Sequence, residues 1–328
     1  MIGAGSQTSE NLFKDSVIYS NAVQLDTTND EVHQDDGTDI GTLMNTGSWT
    51  YLWWTRIPNA GPGEWSHASQ THWAKGDNTF APGDDFISFR SGVGTKDATG
   101  LTQFYHEGDV NPNQKRSAPW WFLQSRSGGS NIQLKSFTID PLESPIRGGD
   151  LNDMNGAVST GFSYRPPNTP TKGFACFALT CDASGTNRDF KLYINGVEIP
   201  ASTSDDITNS HGYTEVTLAS STDFESHVGS ATFNLHKNAN LIQSAFVVQI
   251  GPQAFWDSVL TEAEIKEIYY NHPTLTSNSG DYTSSGDLQR WYKFDEGTGT
   301  SVADSSGNSG QAFDLVNGPT WVKENLVS

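Results

Sequence analysis

From end to end the chain repeats one local pattern, short runs rich in Val, Ile, Thr and aromatic residues separated by clusters of Gly, Asn, Asp, Ser and Pro. Branched and aromatic side chains pack well on a pleated surface and the intervening residues favour turns, so each run reads as a short strand. Many short strands can bury their apolar faces only by stacking, which predicts an all-β, two-sheet antiparallel jelly-roll sandwich. The clearest piece is FKLYINGVEI. There Phe190, Leu192 and Ile194 alternate with Lys191 and Tyr193. Asn195-Gly196 supplies the two positive-φ residues of a tight hairpin, and Val197 and Ile199 continue the return strand. In SWTYLWWTRI, Trp49, Tyr51, Trp53 and Thr55 share one face, while Thr50, Leu52, Trp54 and Arg56 share the other. Aromatic bulk on both faces predicts a central strand.

One helix is expected, near 261–271. Thr261 and Glu264 have the spacing of a capping box, Leu260 and Ile265 can form the hydrophobic staple around it, and Pro273 stops the run. Ile265, Ile268 and Tyr269 recur at the spacing of one helical face. Glu262, Glu264 and Glu267 read as the solvated face of this amphipathic helix and are assigned no chemistry.

Charge narrows the partners. The 328 residues carry 19 basic and 38 acidic side chains, a net charge of −19. Phosphate backbones would repel such a chain, and no Lys/Arg cluster offsets this, so nucleic acid is not expected as a partner. Disorder is excluded by 10 Trp, 10 Tyr and 17 Phe, and the longest apolar run, Ala245 to Ile250, is far too short for a membrane helix. Cys176 and Cys181 lie five positions apart, on opposite faces of one strand, so they read as buried thiols rather than a disulfide. The opening MIGAGSQTSENLFKDS has neither the positive start nor the apolar run of a signal peptide.

Several segments resemble laminin-G-like jelly rolls of the concanavalin A-like lectin and glucanase superfamily. IGPQAFWDSVLTEAEIKEIYYN (Ile250 to Asn271) is similar to that family's last strand and capped helix, and RDFKLYINGVEI to its Asn-Gly hairpin. AVQLDTTNDEV is similar to its opening strand and GSWTYLWWTRI to the aromatic strand after it. WYKFDEGTGTSVADSSGNSGQAFDLVNGPTWV (Trp291 to Val322) resembles the family's Phe-Asp-Glu-Gly strand and Asp turn. That element usually precedes the opening strand, and here it follows the helix, so the order resembles a circular permutation. The expected organisation is an N-terminal arm at 1–21 and one jelly-roll domain at 22–328. Long loops are expected within 59–170, and the Phe-Asp-Glu-Gly element spans 287–322.

The resemblance covers sugar-binding modules, adhesion modules, glycosidases and virus structural parts, and fold alone does not choose between them. A glycosidase needs two carboxylates about 5 to 9.5 Å apart across the scissile bond. The adjacent pairs Asp84-Asp85 and Asp205-Asp206 point to opposite strand faces or sit in loops, and Asp295-Glu296 reads as a turn. No catalytic residues are assigned and a non-enzyme is expected. Calcium is the candidate cofactor. Family members often use the Asp turn in a structural site, which nominates Asp304 for one calcium ion, with an Asx turn as the alternative. Gly251-Pro252 stands where relatives carry carboxylates. For sugar binding, which uses exposed aromatic platforms, Trp65, Trp73, Trp120 and Trp121 are the candidates.

The lack of an export signal, the reduced cysteines and the resemblance to permuted laminin-G-like domains of phage particles together give the expected function. It is a non-enzymatic virion surface protein, a decoration, knob or fibre component made in the host cytoplasm and contacting host glycans. Its partners would be other virion proteins and further copies of itself, as a homo-oligomer, with no membrane partner. The alternative is a bacterial extracellular carbohydrate-binding or adhesion module, and a glycoside hydrolase ranks third.

Overall fold

The computed structural model describes residues 21–25, 30–34, 39–45, 47–56, 70–76, 86–96, 102–103, 115–127, 130–138, 174–199, 201, 214–215, 217–222, 232–235 and 248–323. In chain order the elements are β1 (Asn21–Leu25), β2 (Glu31–Gln34), α1 (Asp39–Leu43), β3 (Trp49–Arg56), β4 (Gln70–Gly76), β5 (Phe86–Lys96) and β6 (Thr102–Gln103). There follow β7 (Lys115–Ser127), β8 (Ser130–Thr138), β9 (Ala175–Asp182), β10 (Asp189–Ile194), β11 (Val197–Ile199), β12 (Thr214–Glu215), β13 (Thr232–Leu235) and β14 (Val248–Trp256). The chain ends with α2 (Glu262–Asn271), β15 (Leu288–Tyr292), β16 (Ser301–Val302), β17 (Phe313–Val316) and β18 (Thr320–Lys323).

Two sheets stack as the strand pattern requires. Sheet A runs β11-β10-β9-β3-β14-β1-β18, with β15 also paired to β14, and sheet B runs β12-β8-β7-β5-β4-β13-β2-β17-β16, with β6 on β5. Every pairing is antiparallel except the short contact of β12 with β8. β3 is central, between β9 and β14. Its residues Trp49, Tyr51 and Trp53 enter the core between the sheets, while Leu52 and Trp54 enter a second cluster on the outer face of sheet A. Between the sheets the Trp53 ring lies parallel to Phe177, with centroids 5.3 Å apart, and Tyr51 meets Phe233 edge-on at 5.5 Å. Each such buried side chain contributes about 1.5–3 kcal/mol by leaving water.

The segment 59–170, within which long loops are expected, supplies the middle of sheet B: β4, β5, β7 and β8. Long strands with Ser, Gly and Gln between their apolar positions carry a weak alternation signal, and cross-strand pairing holds them. The expected arm before Asn21 and the acidic loop residues 26–29 and 35–38 lie outside the described residues.

The helix forms where expected. Thr261 is its N-cap and both capping-box bonds are present, while Leu260 and Ile265 are buried together. His272 ends it in the left-handed region, at φ 46°. α2 and the segment after it cover the outer face of sheet A, burying Ile265, Ile268, Leu275 and Tyr282 against Trp54, Ala254 and Trp256. Glu264 corrects the solvated-face expectation, since it is only 3% exposed. Its Oε2 accepts from the Thr261 amide and hydroxyl, both at 2.9 Å. Its Oε1 accepts from the Thr283 amide and hydroxyl, both at 3.1 Å, and from the Ser284 hydroxyl at 2.6 Å. Burial pushes this carboxyl up, but the bonds from Ser284, Thr261 and Thr283 outweigh it and hold the group below the usual range.

β1 and β15 share one edge of β14. β1 pairs with the first half of β14, through Val23 opposite Ile250, and β15 with the second half, through Tyr292 opposite Gln253. Both are antiparallel to β14, so they run in the same direction along one edge of it, β15 first and β1 after. Asn21 Nδ2 donates to the Asp295 carbonyl at 2.9 Å across the seam. On the other side of β14 the ladder with β3 slips between Ile250 and Gln253, at Gly251-Pro252. Pro252 has no N–H to give and a bulge tolerates it. A Cβ on Gly251 would come within 3.1 Å of Trp54 Cβ and 3.2 Å of the Phe174 ring.

Candidate functional site

The four candidate tryptophans do not come together. Trp65 lies outside the described residues. Trp73 is 1% exposed and stacks on Phe233, with centroids 5.9 Å apart, so it is a core residue and no exposed platform. Trp120 and Trp121 sit in β7, where backbone register gives their faces and the side chains are outside the description. Leu123 and Phe137 are both in the core, and Trp121 is opposite Phe137 in the β7–β8 ladder. Strand alternation sets positions 120 and 121 on opposite faces of sheet B, with 121 in register with the core position Phe137.

Around Trp120 the same register assembles a patch. The row Gly92, Trp120, Thr138 crosses β5, β7 and β8, and the next row toward the strand middles is Arg90, Phe122, Ser136. Phe89 on β5 is in the core, so Arg90 and Gly92 fall on the outer face with Trp120 and Phe122. Two aromatic positions, one guanidinium position and two hydroxyl positions thus lie in adjacent rows of β5, β7 and β8. The combination suits a saccharide, whose C–H face packs on aromatic rings and whose hydroxyls need hydrogen-bonding neighbours.

Asp304, nominated for calcium, is held by protein donors. Its Oδ1 accepts from the Trp291 and Ser306 amides, both at 2.9 Å. Its Oδ2 accepts from the Gly310 amide at 2.9 Å and faces the Ser306 hydroxyl at 2.7 Å. A Cβ at Gly310 would run into the Arg290 side chain and lie 2.9 Å from that oxygen, so a larger residue there would have to displace Arg290. Four donors aimed at one carboxylate are the wrong environment for a cation, and among the described residues no three His, Cys, Asp or Glu side chains gather to share one. The residues present do not fit a calcium ion at Asp304. The turn instead covers the free edge of β15: Ser305 N donates to the Trp291 carbonyl at 2.6 Å and Asn308 Nδ2 to the Leu288 carbonyl at 2.7 Å. An uncovered edge would offer these groups to another chain.

One cleft was not anticipated from sequence. Where α2 ends over the β14 bulge, Trp54, Trp291, His272 and Leu275 line a slot above Pro252 and Ala254, with room for one water and no sugar ring. His272 packs against Trp54 with centroids 5.3 Å apart, and burial lowers its pKa to about 4, so the imidazole is neutral near pH 7. Its partners come from β3, β14 and β15, more than a local motif can reveal. Cys176 and Cys181 are free and buried, in the outer and inner clusters respectively.

No protein-family model matches the sequence, and no curated protein matches it. Among solved structures, the chain is similar to a candidate carbohydrate-binding protein from Bacteroides ovatus at 14% identity and a TM-score of 0.44, over 94% of this chain and 60% of that one. It is similar to the heptameric SAP-like pentraxin of Limulus polyphemus at 9% identity and a TM-score of 0.42, over 96% and 99%. A third likeness is the CBM40 of the Ruminococcus gnavus IT-sialidase bound to α2,3-sialyllactose, at 11% identity and a TM-score of 0.35, over 78% and 100%. This chain spans 60% of the length of the Bacteroides structure. The fold assignment rests on the strand pairing itself: an all-β sandwich of two sheets, antiparallel but for β12 with β8.

Proposed function

We propose that this protein is a non-catalytic, glycan-contacting β sandwich displayed on the surface of a bacteriophage particle. The observation that supports glycan contact is the outer face of sheet B, where register sets Trp120 and Phe122 beside Arg90, Ser136 and Thr138. Its mechanism is reversible stacking of a sugar face on the aromatic positions, with the polar positions fixing orientation. The carboxylates of Glu264 and Asp304 are committed to holding a helix cap and a turn, which leaves neither as an acid or base for hydrolysis. The test is a glycan array followed by titration of the best ligand. Trp120→Ala should weaken binding at least about tenfold and leave stability within roughly 0.5 kcal/mol. An array with no bound glycan, or a variant that binds as tightly, overturns the reading.

The particle location rests on the resemblance to permuted laminin-G-like domains, with the net charge of −19 keeping displayed copies apart. Residues before Asn21 would dock the domain onto the particle or a neighbouring copy, and the displayed form would be a homo-oligomer. Mass spectrometry of purified particles tests this, and absence of the protein from them sinks it. Binding of a glycan by a protein absent from particles would favour the bacterial adhesion module instead.

A further inference from the structure

Lys75 is 2% exposed, inside the sandwich. It stands on β4 opposite Phe233 of β13 and Ile87 of β5, on the same strand face as the buried Trp73. Its Nζ is in direct contact with Oδ1 of Asn45, itself 4% exposed. Asn45 is held from both sides: its amide donates to the Thr42 carbonyl at 3.1 Å, and its own carbonyl accepts from Arg188 Nη2 at 3.2 Å. Met44 and Ile40, next to it, are buried in the same core. An amine and a carboxamide are thus fixed against each other inside the sandwich.

We propose that Lys75 and Asn45 become joined by an intramolecular isopeptide bond. In its uncharged form the amine is a nucleophile. Its nitrogen attacks Cγ of Asn45, the Nζ–Cγ bond forms, and the Cγ–Nδ2 bond breaks. One proton passes from the amine to the departing nitrogen, which leaves as ammonia. No oxidant or reductant is needed. Well-oriented intramolecular groups reach effective concentrations of roughly 10⁵–10⁸ M, which is what an otherwise sluggish exchange between an amine and an amide requires. The product is an amide shielded from water in the core, and it ties the turn after α1 to the middle of sheet B.

The test is the intact mass of the purified, denatured full-length chain. It should be lighter than the encoded mass by one ammonia, about 17 Da. Trypsin should fail to cut after Lys75, so that peptides 15–56 and 57–90 travel as one branched species. Lys75→Met should restore the encoded mass. A wild-type chain at its encoded mass that releases peptide 57–75 overturns the proposal. So does an ammonia loss that persists in Lys75→Met without joining the peptides, as cyclisation at Asn195-Gly196 would give. The wild-type measurement decides the question whether or not the variant folds.

Discussion

The Ser284 hydroxyl donates to Glu264 at 2.6 Å, bridging the first turn of α2 and the segment that leads into β15. The same carboxylate closes the capping box, so one buried group joins the helix to the strand that follows it. Glu264→Ala leaves the donors of Thr261, Thr283 and Ser284 without their acceptor and should cost about 3 kcal/mol. Urea unfolding followed by tryptophan fluorescence measures it. A loss below about 1 kcal/mol would show that the carboxylate is dispensable.

Acid should destabilise the fold in two separate windows. The folded-state pKa of His272 is depressed from 6.5 to about 4, so the unfolded chain takes up this proton first. Stability from this group is full above about 6.5 and falls as the pH drops to about 4. Glu264 is depressed from 4.5, so its contribution is present above that value and is lost below it. Melting temperature against pH, for wild type, His272→Asn and Glu264→Gln, should show the upper slope flattened in the first variant and the lower slope in the second. Identical profiles in all three would refute both assignments.

Asp304→Ala should cost about 2–4 kcal/mol, because it strands the Trp291 and Gly310 amides and uncovers the β15 edge. The variant should also self-associate more readily on concentration, which light scattering reads. Chelator should leave the wild-type melting temperature unchanged and calorimetry should record no calcium heat. A chelator-induced drop in melting temperature would restore the ion to this turn.

Trp73→Ala removes a buried indole from between Phe89 and Phe233 and should cost about 3–5 kcal/mol. An unchanged midpoint in urea would mean that Trp73 is not in the core.

Features set by the local run of residues were the legible ones. The Asn195-Gly196 hairpin, with φ 51° and 81°, the Thr261–Glu264 box and the two-faced β3 all form where the residues announce them. What escaped depends on distant partners. Glu264 lies at a position that helical periodicity allots to solvent, and only the return of Thr283 and Ser284 buries it. Trp73 and Trp120 look alike in sequence, since neither has a clean alternation around it. The ladders with β13 and β8 sort one inward and the other outward. The Asp304 turn is the Asx turn offered as the alternative to a calcium site, with Ser306 N donating to Oδ1. Its use as the cover of a strand edge needs β15, which lies before it in the chain.

The seam between β15 and β1 predicts tolerance to re-cutting. A permutant with Ser328 joined to Met1 and new ends between Thr276 and Ser277, both exposed, keeps every described ladder. Moving chain ends to an exposed loop changes only loop-closure entropy, which varies slowly with length. It should unfold cooperatively within about 1 kcal/mol of wild type, and a molten or insoluble product would count against the seam.

β1 and β18 lie side by side, with Asn21 opposite Lys323 at the outset of the one and the finish of the other. A force pulling the two ends of the domain apart therefore meets the hydrogen bonds of this pair one at a time, as a zipper does, rather than all together in shear. The sandwich is mechanically soft between its own ends, and a load is best borne when both ends lead to one anchor.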